Sequence, residues 1–350
     1  MQRFGHRYVA EILLEEGRSI TTPALAIDWV PAIEWAHFQG VRRGAAGLAS
    51  VPGSVRIAPC WDAQSGRPYV ASIEMSPRRG DPAVREEIPL RYLASAVRHA
   101  VSTLIEEGRV VEGAKYTWRI CAYDAETSAE DASRGTVFAV EDAPEVADGA
   151  AKQPLAELTR NAVLHGPARG HGAPSDFPVF ISQRVLEETA TAAIAAGDLE
   201  AGGVLLGRVS RDVDSAEPIV EVTAQIPARE AIADDASLRF TPTTWQAVHA
   251  AIALRRGNER IVGWHHSHPR KVWPCHACPA ERRAKCPSNC AFFSAQDVGF
   301  HRTAFQGAAN VALLLSFHAD PAPRFDLFGW RQGLIAARDY YVVPEKPHAP

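Results

Sequence analysis

The stretch IVGWHHSHPRKVWPCHACPAERRAKCPSNCAFFSAQDVGF, residues 261–300, holds four histidines and four of the chain's six cysteines. His266 and His268 stand two apart. On a strand side chains alternate between faces, so these two imidazoles can close on one cation while His265 points away. Pro269 then ends the pairing, which leaves the pair at the strand's C-terminal end, where ligand sites of mixed sheets tend to lie. Taken alone, an H-x-H pair is equally consistent with core or exposed histidines. Ser294 and Asp297 are three apart, so in a helical turn they share a face and can look into the same site. S-x-x-D ahead of an amphipathic helix is also a capping arrangement. Glu200, in DLEAGGVLLG, enters an apolar run, where a carboxylate is costly unless it is paired or used. A solvated loop residue is the plain alternative, with Asp198 as a competitor.

The cysteines fall between these groups as C-x2-C, seven residues, C-x3-C: Cys275, Cys278, Cys286 and Cys290. Four thiolates in two close pairs suit a closed tetrahedral structural Zn2+ site, which would fold an otherwise coreless loop. An iron–sulfur cluster is the runner-up, redox-active or unliganded cysteines are a third reading, and His276 can stand in for one thiolate. Cys60 and Cys121 have no base in their local sequence and read as buried hydrophobes. Arg270, Lys271, Arg282, Arg283 and Lys285 read as a solvated loop face or as a contact surface at the lip of the site.

The elements around these residues follow from periodicity. SQRVLEETATAAIAAG is a helix capped at Ser182 and stopped at Gly197, and AGGVLLGRV after it is a buried strand. PIVEVTAQI alternates as a strand. TPTTWQAVHAAIALRRG is a helix with Thr241 as cap, Pro242 at its first position and Trp245, Val248 and Ile252 along one stripe. RIVGWHHSH is the next strand, followed after the cysteine insert by a helix over about 295–305 and by strands in NVALLLSFH, RFDLFGWRQG and YYVV. The order implies a mixed sheet with helices against it. Upstream, SVRIAPCWD, PYVASIEMS, YTWRICAYD and GTVFAV read as strands and PLRYLASAVRHAVSTLIEEG as a helix burying Leu93, Val97, Ala100, Val101 and Leu104. The expectation is an α+β chain with a small α+β domain of unknown function over 1–140, an Ala/Gly/Pro-rich flexible linker over 141–176 with a helical turn near 155–163, and a second domain over 177–345 carrying the insert at 270–293.

With 350 residues, 46% apolar, 22% charged and a net charge of −4, the chain has the composition of a two-domain globular protein. The acidic balance argues against a surface built for phosphate backbones, so nucleic acid is not the expected partner. The N-terminus MQRFGHRYVAEILLEEG lacks the apolar core of a signal peptide, and no apolar run approaches the roughly 18 residues that span a bilayer. A cytoplasmic location and no membrane partner are expected.

Taken together, E-A-G-G-V-L-L-G, then G-W-H-H-S-H-P, then S-A-Q-D resemble the signature of the JAMM (JAB1/MPN/Mov34) zinc metalloprotease family, prokaryotic JAB-like deubiquitinase-type peptidases included. The likeness covers about residues 178–343 and does not reach the N-terminal half. It implies a JAB/MPN-like mixed sheet with flanking helices, cytidine-deaminase-like in topology. His266, His268 and Asp297 would hold a catalytic Zn2+ with water in the fourth position, Glu200 would be general base then acid, and Ser294 would stabilise the carbonyl oxygen. The implied reaction is hydrolysis of the amide after the C-terminal glycine of a ubiquitin-like protein, by deconjugation or precursor processing. Ubiquitin-like proteins or their conjugates, and E1/E2-like pathway proteins, are the implied partners. The chain departs from the family in the run Arg270–Phe293, longer than the usual connection between the proline and the serine. Loop entropy grows slowly with length, so the ligands need not move. The alternatives are a noncatalytic MPN-type scaffold, or a zinc-knuckle binding module, in a ubiquitin-like or sulfur-carrier pathway.

Overall fold

The computed structural model describes residues 6–45, 55–62, 69–77, 85–124, 151–166, 173, 176–215, 217–229, 231–233, 238–255, 259–269, 292–317 and 323–345. The four clustered cysteines, Cys275, Cys278, Cys286 and Cys290, lie outside the described residues, as does the strand expected in GTVFAV. The chain divides into two compact units, one of residues 1–148 with 332–334, the other of 149–331 with 335–350. No described helix is long and apolar enough to cross a membrane.

The first unit is a small α+β structure. Strands β1 (His6–Leu14), β2 (Ser19–Thr21) and β6 (Tyr116–Asp124) form one antiparallel sheet in the order β2-β1-β6, and β3 (Val55–Trp61), β4 (Val70–Pro77) and β5 (Glu86–Pro89) form another. Helix α1 (Val30–Arg42) and helix α2 (Ala94–Glu106), entered through a 3-10 turn at Leu90–Leu93, complete it. Four of the five residues of the expected stripe, Leu93, Val97, Val101 and Leu104, are buried, Ala100 is half-buried, and Gly108 adopts the positive φ of +70° that stops the helix. Cys121 is buried and Cys60 half-buried.

The second unit is built on a ten-stranded mixed sheet. Its strands are β7 (Lys152–Gln153), β8 (Val163–His165), β9 (Val179–Ser182), β10 (Gly202–Asp212), β11 (Pro218–Pro227), β14 (Arg260–His268), β15 (Val311–Phe317), β16 (Pro323–Arg331), β17 (Leu334–Arg338) and β18 (Tyr340–Val343). They run β17-β16-β15-β14-β10-β11-β9-β18-β8, and β7 pairs with the far end of β10. Two further strands, β12 (Ile232–Ala233) and β13 (Leu238–Arg239), make a separate hairpin. Helices α3 (Leu155–Arg160), α4 (Gln183–Ala196), α5 (Pro242–Leu254) and α6 (Ala295–Ala304) complete the unit. Every residue of β15 is buried, as its unbroken apolar run requires of a strand covered on both faces. Helix α5 starts at a reciprocal cap between Thr241 and Thr244 and packs Val248, with Trp245 and Ile252, over Val204, Leu206 and Ala224.

The expected fold class stands: a JAB/MPN-like mixed sheet flanked by helices, preceded by a separate smaller α+β region. One stretch differs from its composition. Within 151–166, which reads as linker, β7 lies parallel to β10 and β8 pairs with β18. Two or three residues per strand are too few for a periodicity to show, and both strands exist only because a longer strand offers them its hydrogen bonds.

Candidate metal centre

Strand β14 carries the two histidines through the middle of the sheet. It runs antiparallel to β10 and parallel to β15, so both its edges are bonded and its direction is fixed. Residues Val262 to His268 are all buried. His266 and His268 point to one face and meet Asp297, the three ligand atoms lying within 4.8 Å of one another. No other group of three or more potential ligands forms among the described residues. His265 points the other way, as alternation demands, with Nε2 3.3 Å from the Gln225 side-chain oxygen. Burial, followed by the neighbouring His266, pushes the His265 imidazole down to about 3, so it is neutral.

Helix α6 delivers the carboxylate. The Asp297 amide donates to Ser294 Oγ at 3.1 Å, and Asp297 Oδ2 accepts from the Ser294 amide at 2.7 Å. The capping reading of S-x-x-D therefore holds, and the same turn brings Asp297 to the two histidines. The cap occupies Oδ2 and leaves Oδ1 facing His266, 3.5 Å from its Nε2. Burial would raise the Asp297 carboxyl, but the adjacent His266 imidazole and the Ser294 contacts outweigh it and bring the group down to about 2. Asp297 is anionic at neutral pH.

Glu200 reaches the site from the other side. Gly202 is the register partner of His266, and Ala201 is locked to Ser267 twice: the Ala201 amide donates to Ser267 Oγ at 2.9 Å, and the Ser267 amide donates to the Ala201 carbonyl at 2.8 Å. Continuing that register sets Glu200 opposite His268 and on the same face. The side chain is buried, at 5% exposure, which rules out the solvated-loop alternative. It is one of the residues lining a groove of about 780 Å³, with Arg184, Glu187, Gln225, Arg229 and Leu238.

Two glycines make this approach possible. A side chain at Gly203 would reach 2.6 Å from His265 Nε2, and one at Gly263 would collide with the Val311 carbonyl oxygen on β15. Sequence reasoning saw Ser267 and Trp264 only as part of the matching signature, with no role given to either, and missed His301 altogether. Ser267 stands between the ligands, where its own hydroxyl tie to the backbone of β10 was the only available signal and is a tertiary one. Trp264 stacks on His266 with ring centroids 4.7 Å apart and planes at 12°.

The residues fit a zinc ion. Two imidazole nitrogens and one carboxylate oxygen are the donor set of a site with a coordination place left for water. Both ring nitrogens of His266 are buried without a hydrogen-bond partner among the described residues, an expense that a cation relieves.

Residues 178–280 match the family described as JAB1/Mov34/MPN/PAD-1 ubiquitin protease. That region of the second unit is JAB/MPN-like. The match takes in Glu200 and the H-S-H-P run and ends before Ser294 and Asp297, which the geometry adds to the JAB/MPN domain. Among solved structures, the chain is similar to a protein from Desulfitobacterium hafniense, at 23% identity over 49% of this chain and 96% of that one, with a TM-score of 0.33. A protein from Salinibacter ruber is similar at 20% identity, covering 49% and 94%, with a TM-score of 0.29. Both likenesses are too weak to bear on function. No curated protein matches the chain. The JAB/MPN domain with its His-His-Asp cluster supports a metalloenzyme of this family with one zinc site.

Proposed function

We propose that the second unit is a zinc-dependent peptidase or isopeptidase that hydrolyses the amide after the C-terminal glycine of a ubiquitin-like protein. The observation that carries this reading is the pairing of a buried His-His-Asp donor set with a separate buried carboxylate, Glu200, that lines a groove. A carboxylate that does not join the ligands but shares their face is placed for proton transfer.

His266, His268 and Asp297 would hold the metal. When bound, zinc brings the pKa of its water to about 7 and polarises the scissile carbonyl. Glu200 accepts the proton of the attacking water and returns it to the leaving amine, a role worth about 10²–10⁴-fold for a positioned general base. Ser294 Oγ already accepts from the Asp297 amide, so its O–H is the part that remains to donate to the carbonyl oxygen as charge develops. The groove offers an extended tail a path to Glu200, with cationic Arg184 and Arg229 and anionic Glu187 along its walls. The ubiquitin-like substrate is supported by the family description, while its glycine end and E1/E2-like partners rest on the resemblance of the motifs alone.

Glu200→Gln tests the assignment. Cleavage of a ubiquitin-like conjugate should fall by about 10²-fold or more, while zinc content measured by elemental analysis stays at the wild-type level. Near wild-type cleavage by Glu200→Gln would remove Glu200 from the reaction.

A further inference from the structure

Helix α6 buries one residue completely, and it is a histidine. His301 has no accessible surface and stands one turn beyond Asp297 on the same helix. Its Nδ1 accepts the indole N–H of Trp264 at 3.0 Å. That indole lies against the His266 ring, nearly parallel to it. The other aromatic side chains against Trp264, namely Phe293, Phe300 and Phe305, have no acceptor to offer. His301 is itself held in place, near-parallel to Phe305 at 5.9 Å and tilted against Trp330 at 5.2 Å, with the Trp330 indole donating to the Phe305 carbonyl at 2.9 Å.

We infer that His301 is a positioning residue of the metal centre: by accepting from Trp264 it fixes the indole that sets the plane of the His266 imidazole. The inference rests on the reading of His266 as a metal ligand. A buried indole N–H needs an acceptor, and a ring that has one cannot rotate about its side-chain torsions without losing it. A ligand imidazole usually gets its orientation from a hydrogen bond to its second nitrogen. His266 Nε2 faces Asp297 Oδ1 at 3.5 Å, and its Nδ1 has no hydrogen-bond partner among the described residues. The stacked indole supplies the orientation instead. The arrangement also ties the ligands on two elements together, because α6 contributes both Asp297 directly and, through His301 and Trp264, the orientation of His266 on β14. It requires His301 to be neutral with its proton on Nε2, and burial, which lowers its imidazole to about 3, keeps it so.

The test is zinc affinity of the full-length chain, measured by competition with a chromophoric chelator, with the d–d spectrum of the Co2+-loaded protein as a second readout of ligand geometry. His301→Leu should weaken zinc binding about 10-fold or more and change the Co2+ spectrum. His301→Gln, whose amide oxygen can accept the same N–H, should recover most of the affinity and the wild-type spectrum. Trp264→Phe keeps a ring but deletes the N–H, so it should weaken zinc comparably, and His301→Leu added to it should cost little more. Wild-type affinity in a folded His301→Leu protein overturns the inference, as does a penalty that survives undiminished in the Trp264→Phe background. Should His301→Leu not fold, Trp264→Phe decides alone, and unchanged affinity there overturns the inference too. A wild-type chain that takes up no zinc defeats the donor-set reading itself, whereas zinc uptake that is indifferent to His301 defeats only the positioning role.

Discussion

Ser294 and Asp297 show one pair of residues meeting two demands at once. The Ser294 hydroxyl satisfies a backbone N–H at the start of α6, and the Asp297 carboxylate returns the favour through one oxygen, which points the other toward His266. The cap thereby fixes the carboxylate in a single orientation before any metal arrives. The two roles of Ser294 separate by substitution. Ser294→Ala should cost about 1 kcal/mol of stability, the usual value of a cap, and lower kcat by about 10²–10³-fold if the hydroxyl is the oxyanion donor. Ser294→Gly should cost only about a few tenths of a kcal/mol, since glycine is tolerated as a cap, yet lose kcat to the same degree. Chemical denaturation and steady-state kinetics on the two variants read the roles apart, and equal kcat in Ser294→Gly and wild type would leave the serine only its cap.

At the scale of elements, the site is a product of strand order. β14 lies between β10 and β15, and that placement pairs the start of β10, just after Glu200, with the end of β14 that carries His266. Close strand contact depends on glycine. At Gly263 an added Cβ would meet the carbonyl of Val311, so the two strands would have to separate. Gly263→Ala should cost about 3 kcal/mol, the upper end for forced overpacking, and should also weaken zinc binding because it moves the strand that carries both histidines. Thermal unfolding and zinc titration check the two effects. A variant as stable as wild type would mean the backbone yields locally without disturbing the pairing. Ser267 adds a tie on the other side of β14, to Ala201 just before β10 and next to Glu200.

Across the molecule, the second unit starts earlier than its hydrophobic pattern shows. Lys152–Gln153 pair with Arg211 and Asp212 on β10, and Val163–His165 pair with Tyr340–Val342 on β18. The Asp212 carboxylate accepts from the Leu155 amide at 2.9 Å, fastening α3 to the same edge. A fragment beginning at residue 177 would leave β18 with an open edge, the condition that promotes association between sheets. Such a fragment should melt at a lower temperature and be more prone to aggregate than one beginning at residue 149, as differential scanning fluorimetry and light scattering would record. The first unit buries its own core, Ile12, Trp35, Ile73, Ile88 and Leu93 among it.

Residue order alone was enough for the elements with a strong period and for the residues of the His-His-Asp cluster. Alternation put His266 and His268 on one face and His265 on the other, most of the stripe of α2 was buried, and Thr241 was the cap of α5, because each of these depends on neighbours a few residues apart. The choice between readings at Glu200 and Ser294 was not local. A carboxylate at the head of an apolar strand is solvated or buried according to what packs over it, and S-x-x-D is a cap, a site or both according to which strand lies opposite. Tertiary structure decided both questions by setting β10, β14 and α6 around one point. It also decided what no spacing could announce: β7 and β8 as strands, Ser267 as a tie, and His301 as the acceptor behind Trp264, thirty-seven positions away in the chain. Contacts across such separations form only when the sheet has assembled, so they belong to the fold and not to any stretch of its sequence.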